Sequence, residues 1–169
     1  MMRPTVAIIA IAVLVAADQL SKFLVEARLP LRQVVEVIPF VALYRTHNEG
    51  VAFSFLSFVD GRILIAMMVA IIGFVLFVWR RTPRERVLAH LGFARVTAGA
   101  LGNLIDRVTL GHVVDFVLVH AGSWSFAIFN LAASYITMGA IAVIGDEVLT
   151  WAKLPSNNPS KPTDSEGQK

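Results

Sequence analysis

Asp115 stands in the run Gly111-His112-Val113-Val114-Asp115-Phe116, an acid set among apolar neighbours. Loss of water disfavours a charged carboxyl and raises its pKa, which suits acid/base work. Other polar groups fall inside or beside long apolar stretches, where ionisable residues are costly and mark functional candidates. Asp18 and Lys22 are four apart and share a helix face. They fit two roles, a neutralising interfacial pair with a snorkelling lysine stem or the lining of a site. Asn103, Asp106 and Arg107 cluster at the end of another apolar stretch. Arg107 there can anchor an anionic headgroup or a peptide carbonyl, or the cluster can satisfy a helix terminus. Asn130, in a further apolar stretch, needs a hydrogen-bond partner that interhelical packing or a site can supply.

Other chemistries find less support. The chain has no cysteine, which removes disulfides, thiolate nucleophiles and Cys-ligated zinc. Its histidines (His47, His90, His112, His120) form no HExxH, so a zinc metalloprotease is poorly supported. Ser123, Ser125 and Ser134 lack a GxSxG elbow. Ile144-Gly145-Asp146 brushes against the GxGD pattern of another intramembrane aspartic protease class, but Val143 takes the place of the first glycine. No glycine-rich phosphate loop is present, and no metal or cofactor is expected.

The elements that carry these residues belong to a membrane protein. Of 169 residues 56% are hydrophobic and 16% charged, against roughly 25% charged in soluble chains. Four apolar blocks stand out at about 4–25, 62–79, 87–105 and 126–146, each able to cross a bilayer core that needs about 20 helical residues. The first also fits a signal peptide, with Arg3, an apolar core and Val15-Ala16-Ala17 as a cleavage site; four spans make it an anchor. The small residues Ala94, Ala98, Gly99, Ala100 and Gly102 predict close helix packing. Arg80, Arg81, Arg84 and Arg86 around Pro83 place that loop, and with it both termini, in the cytoplasm. The net charge of +3 follows the block ends rather than one basic face, so nucleic acid is not the expected partner. The Val, Ile and aromatic content of 33–44 predicts strand, with Pro39 at an edge or bulge. His47-Asn48-Glu49-Gly50 reads as a turn, and an outer β element spans about 29–60. The expected class is a mainly α membrane domain over 1–154, with four transmembrane helices and a short β element on the outer side. Residues 155–169, polar and rich in Pro, Ser and Asn, read as a disordered cytoplasmic tail.

Five blocks then occur together. Asp18-Gln19-Leu20-Ser21-Lys22, Asn48-Glu49-Gly50-Val51-Ala52-Phe53-Ser54, the stretch from Gly99 to Arg107, Gly111 to Phe116, and Phe129-Asn130-Leu131-Ala132 resemble, in order and spacing, the bacterial lipoprotein signal peptidases (signal peptidase II). The resemblance covers nearly the whole chain except the tail. It implies four transmembrane helices with a small periplasmic β-cradle, in a monomeric, multi-pass inner-membrane aspartic endopeptidase with its site toward the outer face, acting on diacylglyceryl prolipoproteins just before the lipidated cysteine. By that resemblance Asp115 is one catalytic aspartate, and Asn48, Gly50, Asn103, Arg107 and Asn130 surround it and position substrate. Asp18, Lys22 and Asp106 support the site. One departure stands out: Ala133 occupies the position of the second catalytic aspartate. An inactivating substitution and a natural inactive homologue that binds lipidated peptides both account for it. A transporter finds less support, because no charges pair visibly across several spans.

Overall fold

A computed structural model describes residues 4–50, 60–122 and 124–152. The element order is α1 (Pro4–Arg28), β1 (Val34–Ile38), β2 (Val41–Asn48), α2 (Gly61–Arg81), α3 (Val87–Leu110), β3 (Val113–Ala121), β4 (Trp124–Phe129) and α4 (Leu131–Ala152). The expected run at 51–56 and the tail at 155–169 lie outside the described residues.

Three helices, α1, α2 and α4, are long and apolar enough to cross a membrane. Their packing is inverted relative to a water-soluble bundle. In α1 the buried residues are Ala7, Asp18 and Lys22, while Ile8, Val13 and Phe23 face outward. Apolar residues gain nothing by avoiding lipid, whereas polar groups must find partners inside. Helix α3 is the exception that organises the rest. It has the length of a span but carries His90, Arg95, Asn103, Asp106 and Arg107, and it packs against α1, α2 and α4. Its small residues permit that: a Cβ on Gly102 would lie 2.5 Å from Asp18 Oδ2, and one on Gly99 would collide with the backbone of Ala132.

The described strands form one antiparallel sheet in the order β1-β2-β3-β4. It departs from the sequence expectations in three places. The strand expected over 33–44 is two, because the chain turns at Pro39-Phe40, where Phe40 takes φ 73° and proline supplies no ladder donor. The turn expected at 47–50 begins later: His47 and Asn48 are still strand, opposite Val114 and Val113. The fourth block divides as well. Trp124 to Phe129 pairs with β3, and α4 starts only at Leu131. Asn130 makes that break, since its side-chain oxygen accepts from the Ala133 N–H at 2.7 Å and so caps the helix. Helix α3 also runs past the expected 105 to Leu110, where Gly111 ends it in the left-handed conformation at φ 81°, a cap glycine adopts without a Cβ clash.

Candidate active site

Gly111 turns the chain from α3 straight into β3, which places Asp115 beside the end of the helix that carries Asn103 and Arg107. The Asp115 side chain is held on both oxygens. Asn48 Nδ2 donates to Oδ2 at 2.8 Å, and Asn130 Nδ2 donates to Oδ1 at 2.7 Å. Burial pushes the Asp115 carboxyl above the ordinary carboxylate range, against the downward pull of the Asn48 bond and the Lys22 charge. The desolvation expected from Val114 and Phe116 is therefore present.

Asn130 is the junction of the site. Its carboxamide caps α4 through Ala133 and reaches Asp115 on the other side. It also donates to the Val114 carbonyl at 3.2 Å and to Asn103 Oδ1 at 3.1 Å. Residue 133 is thus separated from Asp115 by a single carboxamide. Both line a groove of about 850 Å³ whose remaining wall includes Met67, Met68, Ile71 and Met138. Methionine-rich apolar walls adapt to ligands of different shape.

Beneath the carboxylate lies a charged network that the sequence only half revealed. Lys22 Nζ is 2.8 Å from Asp18 and 2.9 Å from Asp106, and it donates to Asn103 Oδ1 at 3.1 Å. All three charged residues are buried, so Lys22 does not snorkel to an interface. The pairing runs between α1 and α3, a partnership between two helices that the linear sequence did not show. Its outer ends hold backbone. Asp18 Oδ1 accepts from the Ala132 N–H at 2.8 Å, and Asp106 Oδ2 accepts from the Val114 N–H at 3.1 Å. The triad therefore fixes both segments that flank the site, α4 at its start and β3 next to Asp115. Gln19, part of the first sequence block but without an expected role, donates to Asp106 at 2.9 Å, Asp18 at 3.2 Å and the Gly102 carbonyl at 3.1 Å. Its place beside Asp18 was the one available signal.

Arg107 is turned toward the chain itself. It donates to the Glu49 carbonyl at 3.2 Å and to the Gly50 carbonyl, and Gly50 N–H in turn donates to Asn48 Oδ1 at 3.1 Å. The guanidinium thus clamps the backbone after β2, and through it the amide that holds Asp115, while still lining the groove. Every residue expected at the site is brought together: Asp115, Ala133, Asn48, Gly50, Asn103, Arg107 and Asn130 all touch the groove or its immediate support.

Comparison with known proteins shows what the chain resembles in sequence and fold. A profile for signal peptidase (SPase) II matches residues 10–149. The lipoprotein signal peptidase of Sinorhizobium fredii is 53% identical over 154 residues, covering 91% of this chain and 93% of the relative. That of Brucella ovis is 51% identical over 146 residues, covering 86% and 90%. A solved bacterial membrane enzyme superposes with a TM-score of 0.78 at 27% identity, covering 94% of each chain; a second gives 0.77 at 28%, covering 88% of this chain and 97% of that one. The chain belongs to the signal peptidase II family.

Proposed function

We propose that this fold is an intramembrane aspartic endopeptidase that removes the signal peptide from diacylglyceryl-modified prolipoproteins, cleaving before the lipidated cysteine, and that the chain as it stands is silent because position 133 lacks a carboxyl. The observation that carries the reading is that Asp115, gripped by two amides, and Ala133, one carboxamide away, line the same groove.

Hydrolysis of an amide at such a site divides labour between two carboxyls. One, ionised, takes a proton from water; the other, protonated, donates to the carbonyl oxygen as the tetrahedral intermediate forms. Asp115 is positioned for one part. It also lines a smaller cavity of about 240 Å³ with Thr46, Asn48 and Ser125, a route by which water reaches the carboxyl without crossing the apolar groove. The groove suits an apolar signal helix and acyl chains, and Arg107 and the asparagines suit an extended peptide near the scissile bond. With Ala133 the groove and the polar ring remain, so binding survives and turnover does not.

In this reading α3 is the fourth span, its polar residues covered by the three apolar helices, with both termini cytoplasmic, the sheet at the outer surface, and the chain acting as a monomer in the cytoplasmic membrane of a bacterium. The test is to offer the Ala133→Asp chain a prolipoprotein with and without its diacylglyceryl group. Cleavage confined to the lipidated form is expected. Binding without cleavage by a folded Ala133→Asp chain would leave a lipopeptide-binding protein instead.

A further inference from the structure

Outside the main groove, three potential ligands from three elements meet, and one of them, His47, also lines the small cavity that reaches Asp115. Glu26 comes from the last turns of α1, His47 from β2, and His112 from the link between α3 and β3. One ligating atom from each lies within 4.8 Å of the other two. The two imidazoles stack, with centroids 3.8 Å apart and planes 24° from parallel. Among the described residues, the buried Nε2 of His112 has no hydrogen-bond partner, and an unpaired buried nitrogen is a standing cost unless something occupies it.

We propose that Glu26, His47 and His112 form a binding site for a divalent transition-metal cation, with zinc the best match. Two imidazole nitrogens and one carboxylate oxygen make a borderline donor set that suits zinc, whereas calcium and magnesium want oxygen alone. Three protein ligands leave a fourth position for water. Tetrahedral ligands at about 2.0–2.1 Å from the ion stand roughly 3.3–3.4 Å from one another, so the ligand atoms need to close by little more than an ångström, and one of the two stacked rings has to turn out of the stack to aim its nitrogen at the same ion.

Arg45 is the opposing charge. Its Nη2 lies 3.4 Å from Glu26 and 3.5 Å from His47 Nε2, and it lowers the affinity of the site for any cation. The guanidinium has other anchors, however. Nη1 donates to the Glu26 and Leu29 carbonyls at 3.0 and 3.2 Å, so Glu26 can turn its carboxylate to a metal while Arg45 stays in place.

The location gives the ion a consequence. His47 immediately precedes Asn48, and His112 immediately precedes Val113, the residue opposite Asn48 in the ladder. A metal held by both histidines ties β2 to β3, and both to α1, one residue from the amide that grips Asp115. Because the unfolded chain presents no such cluster, binding stabilises the folded state.

The test uses the tag-free full chain in detergent micelles, stripped with chelator and titrated with zinc or cobalt. One zinc per chain should bind at micromolar concentration and raise the unfolding temperature, and cobalt should give visible d–d absorption with nitrogen ligation. His47→Gln, His112→Gln and Glu26→Gln should each weaken binding at least tenfold, and His120→Gln should leave it unchanged. Absence of saturable binding in the unmutated chain overturns the proposal, as does full cobalt absorption in a folded His112→Gln chain. If the histidine variants fail to fold, the cobalt spectrum of the unmutated chain decides: no nitrogen-ligated band, no site. None of these readouts involves peptide cleavage, so they stand apart from the proposed activity.

Discussion

Replacing Ala133 by aspartate tests the two-carboxyl reasoning most directly. In the parent chain Asp115 already accepts amide bonds at 2.7 and 2.8 Å, so a gain of activity cannot come from repositioning it. Residue 133 sits in the first turn of α4 with its N–H capped by Asn130, where a carboxylate is favoured by about 0.3–1 kcal/mol. The substitution should therefore leave the fold intact. Supplying the missing member of a unit whose loss costs on the order of 10⁴-fold corresponds to about 5.5 kcal/mol of transition-state stabilisation, far above the helix-terminus term. The pH profile carries a second signature. Burial holds Asp115 above the ordinary carboxylate range, and a second carboxyl in the same mouth splits the pair into two apparent pKa values. Turnover needs one proton shared across the pair. It should fall on the acid side, where both carboxyls are protonated, and again on the alkaline side, where both are ionised, with the alkaline limb above the ordinary carboxylate value. The assay is the mobility shift of a diacylglyceryl prolipoprotein across the acid-to-neutral range, with three chains: parent, Ala133→Asp, and Ala133→Asp with Asp115→Asn. The expected pattern is silent, active, silent. Cleavage by the parent or by the third chain refutes the dyad, as does a single-limbed profile in the second.

Three further outcomes are expected. Lys22→Met should destabilise the chain by about 3–5 kcal/mol, because it leaves the buried Asp18 and Asp106 uncompensated; thermal unfolding in micelles measures this, and combining it with Asp106→Asn should recover part of the loss. Arg107→Lys keeps the charge but loses the fork that holds the Glu49 and Gly50 carbonyls. In the Ala133→Asp chain it should lower kcat/KM at least tenfold while the protein stays folded, and an unchanged rate would remove Arg107 from any positioning role. Thr82→Cys, the sole thiol in a chain that has none, should resist an impermeant reagent added outside intact cells and react once they are opened; labelling from outside reverses the orientation.

The metal-ligand cluster and the charged triad show where linear reading stops. Glu26, His47 and His112 are far apart in the chain and share no ligand spacing, so only the β2–β3 ladder and the end of α1 bring them together. Asp18 and Lys22 were legible as a pair from their separation of four, because a helix turn makes such residues neighbours. That Asp106 completes a triad, and that its ends hold Ala132 and Val114, depends on how α3 lies against α1.

Local chemistry along the chain was enough for the apolar helices and the desolvated setting of Asp115, since hydropathy and flanking side chains act over a few residues; the helix end at Gly111 was not read from it. The block pattern was enough for the family. Register was not local. Whether Phe126–Phe129 is helix or strand turned on β3 being present to pair with it, since a short apolar run reads equally as either. The same holds for His47 and Asn48, whose turn-like composition yields to the ladder bonds offered by Val113 and Val114. The role of Asn130 is likewise tertiary: the sequence showed a polar group in need of a partner, and only the meeting of α3, α4 and β3 made it the amide that joins residue 133 to Asp115.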